Sequence, residues 1–192
     1  GATGSEHSAA RNVIMLRGAR ITLVGLTTVL VGLLSLAQAE EDLTFKAGFI
    51  VKLFDYVQWP AGSGIDSNGS AVIGVLGDCA LVAPLKAAAS ESSTGGKQLT
   101  VKIVSMTDPL TDCDILVIPT TDKTELAQTL KKLGTAPVVT VSDCTGFAGF
   151  GVMVNFFKDD ASGKVKFEIN TLAAGDAKLK FSSQILKLAR VI

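Results

Sequence analysis

The chain has 192 residues, 47% of them hydrophobic and 19% charged, with equal numbers of basic and acidic side chains and a single histidine. That is long enough for one well-packed domain and too apolar for an intrinsically disordered chain. Balanced charge gives no footprint for nucleic acid.

Much of the hydropathy comes from one block, Ile21 to Leu36, preceded by Arg17 and Arg20 and followed by Ala37-Gln38-Ala39. A basic stretch, an uncharged apolar helix and small residues at a cleavage point are the order of a secretory signal peptide, which predicts cleavage after Ala39. The other reading, an uncleaved membrane anchor, asks for roughly 20 apolar residues, more than the block supplies. Met15 is the expected start, so residues 1–14 form an upstream extension, 15–39 the signal peptide and 40–192 the folded domain. Without residues 1–39 the chain loses Arg11, Arg17, Arg20 and Glu6, which leaves 15 basic against 17 acidic residues, no histidine and one arginine, Arg190.

The exported part opens with a helix that Pro60 ends, acidic at its start, with Phe45, Phe49, Leu53 and Tyr56 at helical spacing and Ile50, Phe54 and Val57 alongside, a wide apolar arc that predicts a mostly buried helix. Five of the eleven aromatic residues lie in this stretch. An aromatic face at that spacing is read as core packing rather than as a ligand box, with Trp59 at the helix end the residue most open to solvent. After a Gly/Ser-rich loop, Ala71 to Gly77 reads as a strand, Leu81 to Ala89 as a helix, and Leu99 to Val104 as a second strand.

Cys113-Asp-Ile-Leu-Val-Ile-Pro119 supplies the third strand, apolar on both faces and therefore central and covered on both sides. Glu125 to Leu133 follows as an amphipathic helix and Pro137 to Ser142 as a fourth strand. This βαβ rhythm predicts a mostly parallel sheet. Gly151 to Phe157 and Lys164 to Asn170 flank Asp-Asp-Ala-Ser-Gly and read as a hairpin, with Val165, Phe167 and Ile169 on a dry face and Lys164, Lys166 and Glu168 on a wet one. A short helix near Leu172 to Ala177 comes next. A last helix, Gln184 to Arg190, is capped by Ser182 or Ser183, with Ile185, Leu186 and Leu188 inward. The expected fold is a single α/β domain: a mostly parallel central sheet, a C-terminal antiparallel hairpin and flanking helices.

The segments Lys46 to Pro60, Ile73 to Asp78, Cys113 to Ile118, Phe167 to Ala174 and Leu179 to Ala189 together resemble the YfiR family of periplasmic proteins, and they span nearly all of residues 40–192. The resemblance implies a compact α/β domain behind a signal peptide, and a regulator that binds the periplasmic part of an inner-membrane signalling protein, a diguanylate cyclase, holds it inactive and responds to redox state. A second copy of the chain is a further partner left open.

Many relatives carry a cysteine where this chain has Gly74, level with Cys113, so that pairing is missing here. Cys79 and Cys144 both follow strand ends and would share an edge of a parallel sheet, which makes them the candidate disulfide; three weakly reactive thiols are the alternative.

Catalytic constellations are hard to find. A hydrolase triad or a zinc site needs a histidine or clustered cysteines, which residues 40–192 lack. Gly95-Gly-Lys-Gln98 is short of a phosphate-binding loop, and Gly146 to Gly151 reads as a turn feeding a strand. Asp78, Asp143 and Glu168 are the carboxylates left for an acid–base mechanism, the first two more simply read as caps. The expectation is no enzyme activity, no cofactor and no metal. A solute site is the alternative to protein binding, at the carboxyl ends of the parallel strands around Asp78, Pro119 to Asp122 and Asp143. Trp59, Asp78, Asp122 and Asp143 are accordingly the candidate residues of a ligand or partner edge.

Overall fold

The computed structural model describes residues 36–63, 70–94 and 97–192. The chain divides into two units, Gly1–Glu41 and Asp42–Ile192. The expected signal peptide and upstream extension lie outside the described residues except for 36–39, which are helical and exposed. Among the described residues no helix is long and apolar enough to cross a membrane.

The larger unit is built on a sheet. Helix α1 covers residues 42–56 and runs into β1 (Val57–Gln58). There follow β2 (Ala71–Leu76), α2 (Val82–Glu91), β3 (Ser93–Thr94), β4 (Lys97–Val104), β5 (Ile115–Val117), α3 (Lys123–Leu133) and β6 (Val139–Ser142). The chain closes with β7 (Val154–Lys158), β8 (Val165–Ile169), α4 (Thr171–Asp176), β9 (Lys180–Phe181), α5 (Ser183–Leu186) and β10 (Arg190–Val191). An eight-stranded sheet has the order β10-β8-β7-β6-β5-β2-β4-β3, and β1 pairs with β9 in a separate two-stranded ribbon. Strands β4, β2, β5, β6 and β7 are mutually parallel; β7 and β8 form the antiparallel hairpin, Val154 facing Ile169 and Lys158 facing Val165.

Alternation in the strands sorts the core into two layers. Ile73, Val75, Ile115, Val117, Val139 and Val141 point to the side covered by α1, α2 and the C-terminal helices, where Ile50, Leu53, Leu85 and Ile185 are buried. Leu116 and Ile118 point to the other side, beneath Leu126 and Leu133 of α3 and beside Leu110 and Phe147. β5 is inaccessible throughout, as a strand covered on both faces must be. Asp114, buried at its start, is tolerated because its carboxylate accepts a 2.7 Å bond from the Val72 amide, which fastens the beginning of β5 to that of β2.

Of the described glycines, Gly74 has the least room for a side chain. A Cβ there would sit 2.5 Å from Cys113 Sγ and 3.4 Å from Cys113 Cβ. Gly74 thus faces Cys113 directly, and with Cys113 present only glycine leaves its thiol in place.

The structure differs from the sequence reading at four places. The wide arc expected of α1 is buried at Ile50, Leu53, Phe54 and Val57, together with Ala47 and Val51, but Phe45 at its start is 45% exposed. Helix α1 ends at residue 56 because β1 turns to pair with β9, with Ser182 N donating to Tyr56 O. The last helix stops at Leu186, and Arg190–Val191 forms a strand beside Glu168 and Ile169, leaving Leu188 78% exposed. Glu168, expected on the wet face, is therefore buried, and Arg190 Nη2 pairs with its carboxylate.

Candidate functional site

At the carboxyl ends of β2, β5 and β6 the chain leaves the sheet in three loops. From β2 it passes to β4 on one side, and from there it crosses to β5 on the other. Loops that diverge at such a switch leave a crevice, the usual ligand position in open parallel sheets. Here the crevice has a volume of about 190 Å³ and is lined by Leu43, Cys79, Leu81, Val117, Asp143 and Phe156, with Ala80, Pro119, Val141 and Ser142 completing it.

Two ion pairs hold the start of α1 against this edge: Lys46 Nζ to Asp143 Oδ2 at 2.8 Å, and Lys158 Nζ to Asp42 Oδ2 at 3.0 Å. The Lys46 ammonium is the more enclosed of the two cations, its side chain 16% exposed against 57% for Lys158.

Of the expected edge residues, Asp143 lines the crevice, where it is joined by Cys79, one of the two disulfide candidates. Asp78 lies exposed in the adjoining turn. Asp143 is an ion-pair partner, and Asp122 is a helix cap, its Oδ1 accepting a 2.7 Å bond from Thr124 N at the start of α3. Trp59 stacks on Phe54, rings 5.5 Å apart, away from the crevice lining, with its Nε1 buried and without a hydrogen bond. Sequence reasoning missed Leu43 and Lys46 because α1 was treated as core alone, and Phe156 because β7 was read only as a strand of the hairpin. Lys46, a cation four residues before the core residue Ile50 on the same helix face, was the signal.

The cysteines are free thiols. The expected Cys79 to Cys144 bridge is absent, and the layers explain it: Cys79 packs against the α1/α2 core, Cys144 against the α3 core on the opposite face, and β5 separates their strands. Cys113 borders a second groove, of about 270 Å³, with Lys102, Asp108 and Asp112. Burial pushes its thiol up to about 11, against a smaller downward pull from Lys102.

From β6, next to β5, outward to β10 a polar row crosses four strands in register: Ser142, Asn155, Glu168 and Arg190. Asn155 is fully buried and neither atom of its amide has a hydrogen-bond partner, while Ser142 Oγ donates to Ile118 O at 2.9 Å. Arg190 also lies over the Phe157 ring, 4.2 Å from its centroid. Beyond this row Leu172, Leu188, Val191 and Ile192 are all exposed, and Thr171 N donates to Ile192 O, which sets Leu172 beside the last residues. Gly146 and Gly151, both at positive φ, bracket a turn of 3-10 helix at Phe147–Phe150, as a turn feeding a strand requires. Among the described residues no group of three or more His, Cys, Asp or Glu is placed to hold a metal.

Comparison with known proteins adds a match of residues 44–190 to the DUF4154 family, described as YfiR/HmsC-like. The chain belongs to the YfiR/HmsC-like family. Family members are in general periplasmic and regulatory, and they work with partner signalling proteins. No curated protein matches the sequence. Nine chains of solved structures do. One is the ABC domain from Streptococcus pneumonia in complex with L-Trp, 15% identical, with a TM-score of 0.52 over 76% of this chain and 60% of that one. The YfiR-like domain thus spans under two thirds of that neighbour, and at this identity the likeness shows the α/β fold alone.

Proposed function

We propose that this YfiR-like protein is an exported, non-catalytic regulator of cyclic-di-GMP signalling that binds the periplasmic part of an inner-membrane signalling protein, a diguanylate cyclase. The observation that carries the reading is the family match over residues 44–190, nearly the whole larger unit. The exposure of Leu172, Leu188, Val191 and Ile192 in the last part of the chain supports it, since large apolar side chains left in solvent suit a protein partner. The basic, apolar and small-residue order of Arg17 to Ala39 supports export, with Glu40 as the mature N-terminus. Redox response is outside the proposal, because Cys79 and Cys144 face opposite cores.

Capture from solubilised inner membranes tests the reading. The wild-type protein should retain a membrane protein with a cyclase output, and Leu172→Glu with Val191→Glu should lose it at an unchanged melting temperature. Retention of only a second copy of the chain would point to a homodimer face instead. Terminal sequencing of the exported material should begin at Glu40; a start upstream of Ala37 would reveal an anchor.

A further inference from the structure

We infer that the crevice at the carboxyl edge of β2, β5 and β6 is a ligand site for a small neutral molecule with an apolar body and one hydrogen-bond donor. Its position follows from topology: the loops after β2 and β5 diverge where the strand order reverses, and no side chain fills the gap between them. Size sets the first limit on the ligand. A dry apolar cavity of about 150 Å³ takes a benzene-sized ring, whereas pockets for larger ligands run from about 300 Å³ upward. At about 190 Å³ the crevice admits one six-membered ring with a short substituent and excludes a nucleotide.

Polarity sets the second limit. Leu81, Val117, Val141 and Phe156 are all buried and give the crevice an apolar wall. The charged group at that wall is Asp143, whose Oδ2 is engaged by Lys46. Local charge is already balanced, so a cationic ligand would have to displace the Lys46 ammonium, which is largely enclosed, and leave it unpaired. A neutral hydroxyl or ring N–H faces no such cost, because the second carboxylate oxygen, Oδ1, can still accept from it. The site is separate from the β10 edge, and the inference needs no protein partner and holds whether or not one is found there.

Cys79 belongs to the crevice wall, whereas Cys144 packs on the opposite core, so the chain carries its own reporter and control. Phenol is the probe. In the folded chain, phenol should slow maleimide labelling of Cys79 several-fold and saturably while the rate at Cys144 stays unchanged. Toluene, lacking the donor, should protect about tenfold more weakly, the worth of one hydrogen bond to a carboxylate. Ala80→Phe, at an exposed position of the lining, should abolish protection. A measurement on the wild-type chain needs no variant: phenol should shift the methyl resonances of Val117 and Val141 and leave those of Leu126 and Val138, in the other core, in place. No saturable protection up to the solubility of phenol, equal slowing of both cysteines, protection that survives Ala80→Phe, or shifts in both cores would each overturn the inference.

Discussion

Gly74, Cys113 and Asn155 show how single atoms constrain this sheet. Adding one methyl at Gly74 places a carbon 2.5 Å from a buried sulfur in the close-packed middle of a strand, an overpacking that should cost about 1 to 3 kcal/mol. Gly74→Ala should therefore lower the denaturation midpoint, and Cys113→Ala in the same chain should recover much of the loss; equal midpoints for Gly74→Ala and wild type would show that the sheet yields freely. Asn155 presents the opposite case, a polar amide with no partner in a fully buried place. Leucine of similar volume removes the unmet donors and acceptor, so Asn155→Leu should be neutral or more stable by about 1 to 2 kcal/mol, read from urea midpoints at constant m. On the surface, Asp159 is held below its ordinary value of 3.8, first by the Ser162 hydroxyl and then by Lys166. A carboxylate depressed in the folded state stabilises at neutral pH and loses that contribution as pH falls through its folded pKa. Asp159→Asn should lower the neutral and alkaline plateau of the stability profile and so flatten its acid end, with little change in stability at low pH, where the carboxyl is protonated in both states.

Elements legible in the sequence were those whose pattern is local. The branched apolar run of β5 needs cover on both faces wherever it sits, and the Asp-Asp-Ala-Ser-Gly turn closes a hairpin irrespective of its surroundings. The crevice was legible only in outline: strand ends locate its edge, but the contribution of α1 through Leu43 and Lys46 depends on which way that helix lies across the sheet. β10 was not legible, because a two-residue strand has no periodicity of its own and exists where β8 offers an open edge and a buried carboxylate. The same dependence makes it fragile. Arg190→Ala strands Glu168, whose side chain is 5% exposed, without its cation. The cost should be about 2 kcal/mol, less than for a fully enclosed pair because the guanidinium is itself 60% exposed. Adding Glu168→Gln should restore part of it, and hydrogen exchange should quicken at Ile192 N, which donates to Ile169 O, before it does in β5.

At the scale of the whole molecule, α1 is the cover of one face of the sheet. Leu53→Ala, at a side chain with no exposure, should cost about 2 to 5 kcal/mol, whereas Phe45→Ala, at a ring 45% exposed, should cost far less. Equal losses would mean that Phe45 is held in the core as firmly as Leu53. The β1–β9 ribbon gives the fold a different property, one of timing. Val57 pairs with Phe181, so the helix that covers the sheet is tied down by residues 124 positions later in the chain. A polypeptide emerging from its N-terminus cannot make that tie until nearly all of it has been released, and closure over such a separation is slow. Until then the apolar face of α1 has only half a partner. The domain therefore cannot close fully until β9 has been made, however early the helix itself forms.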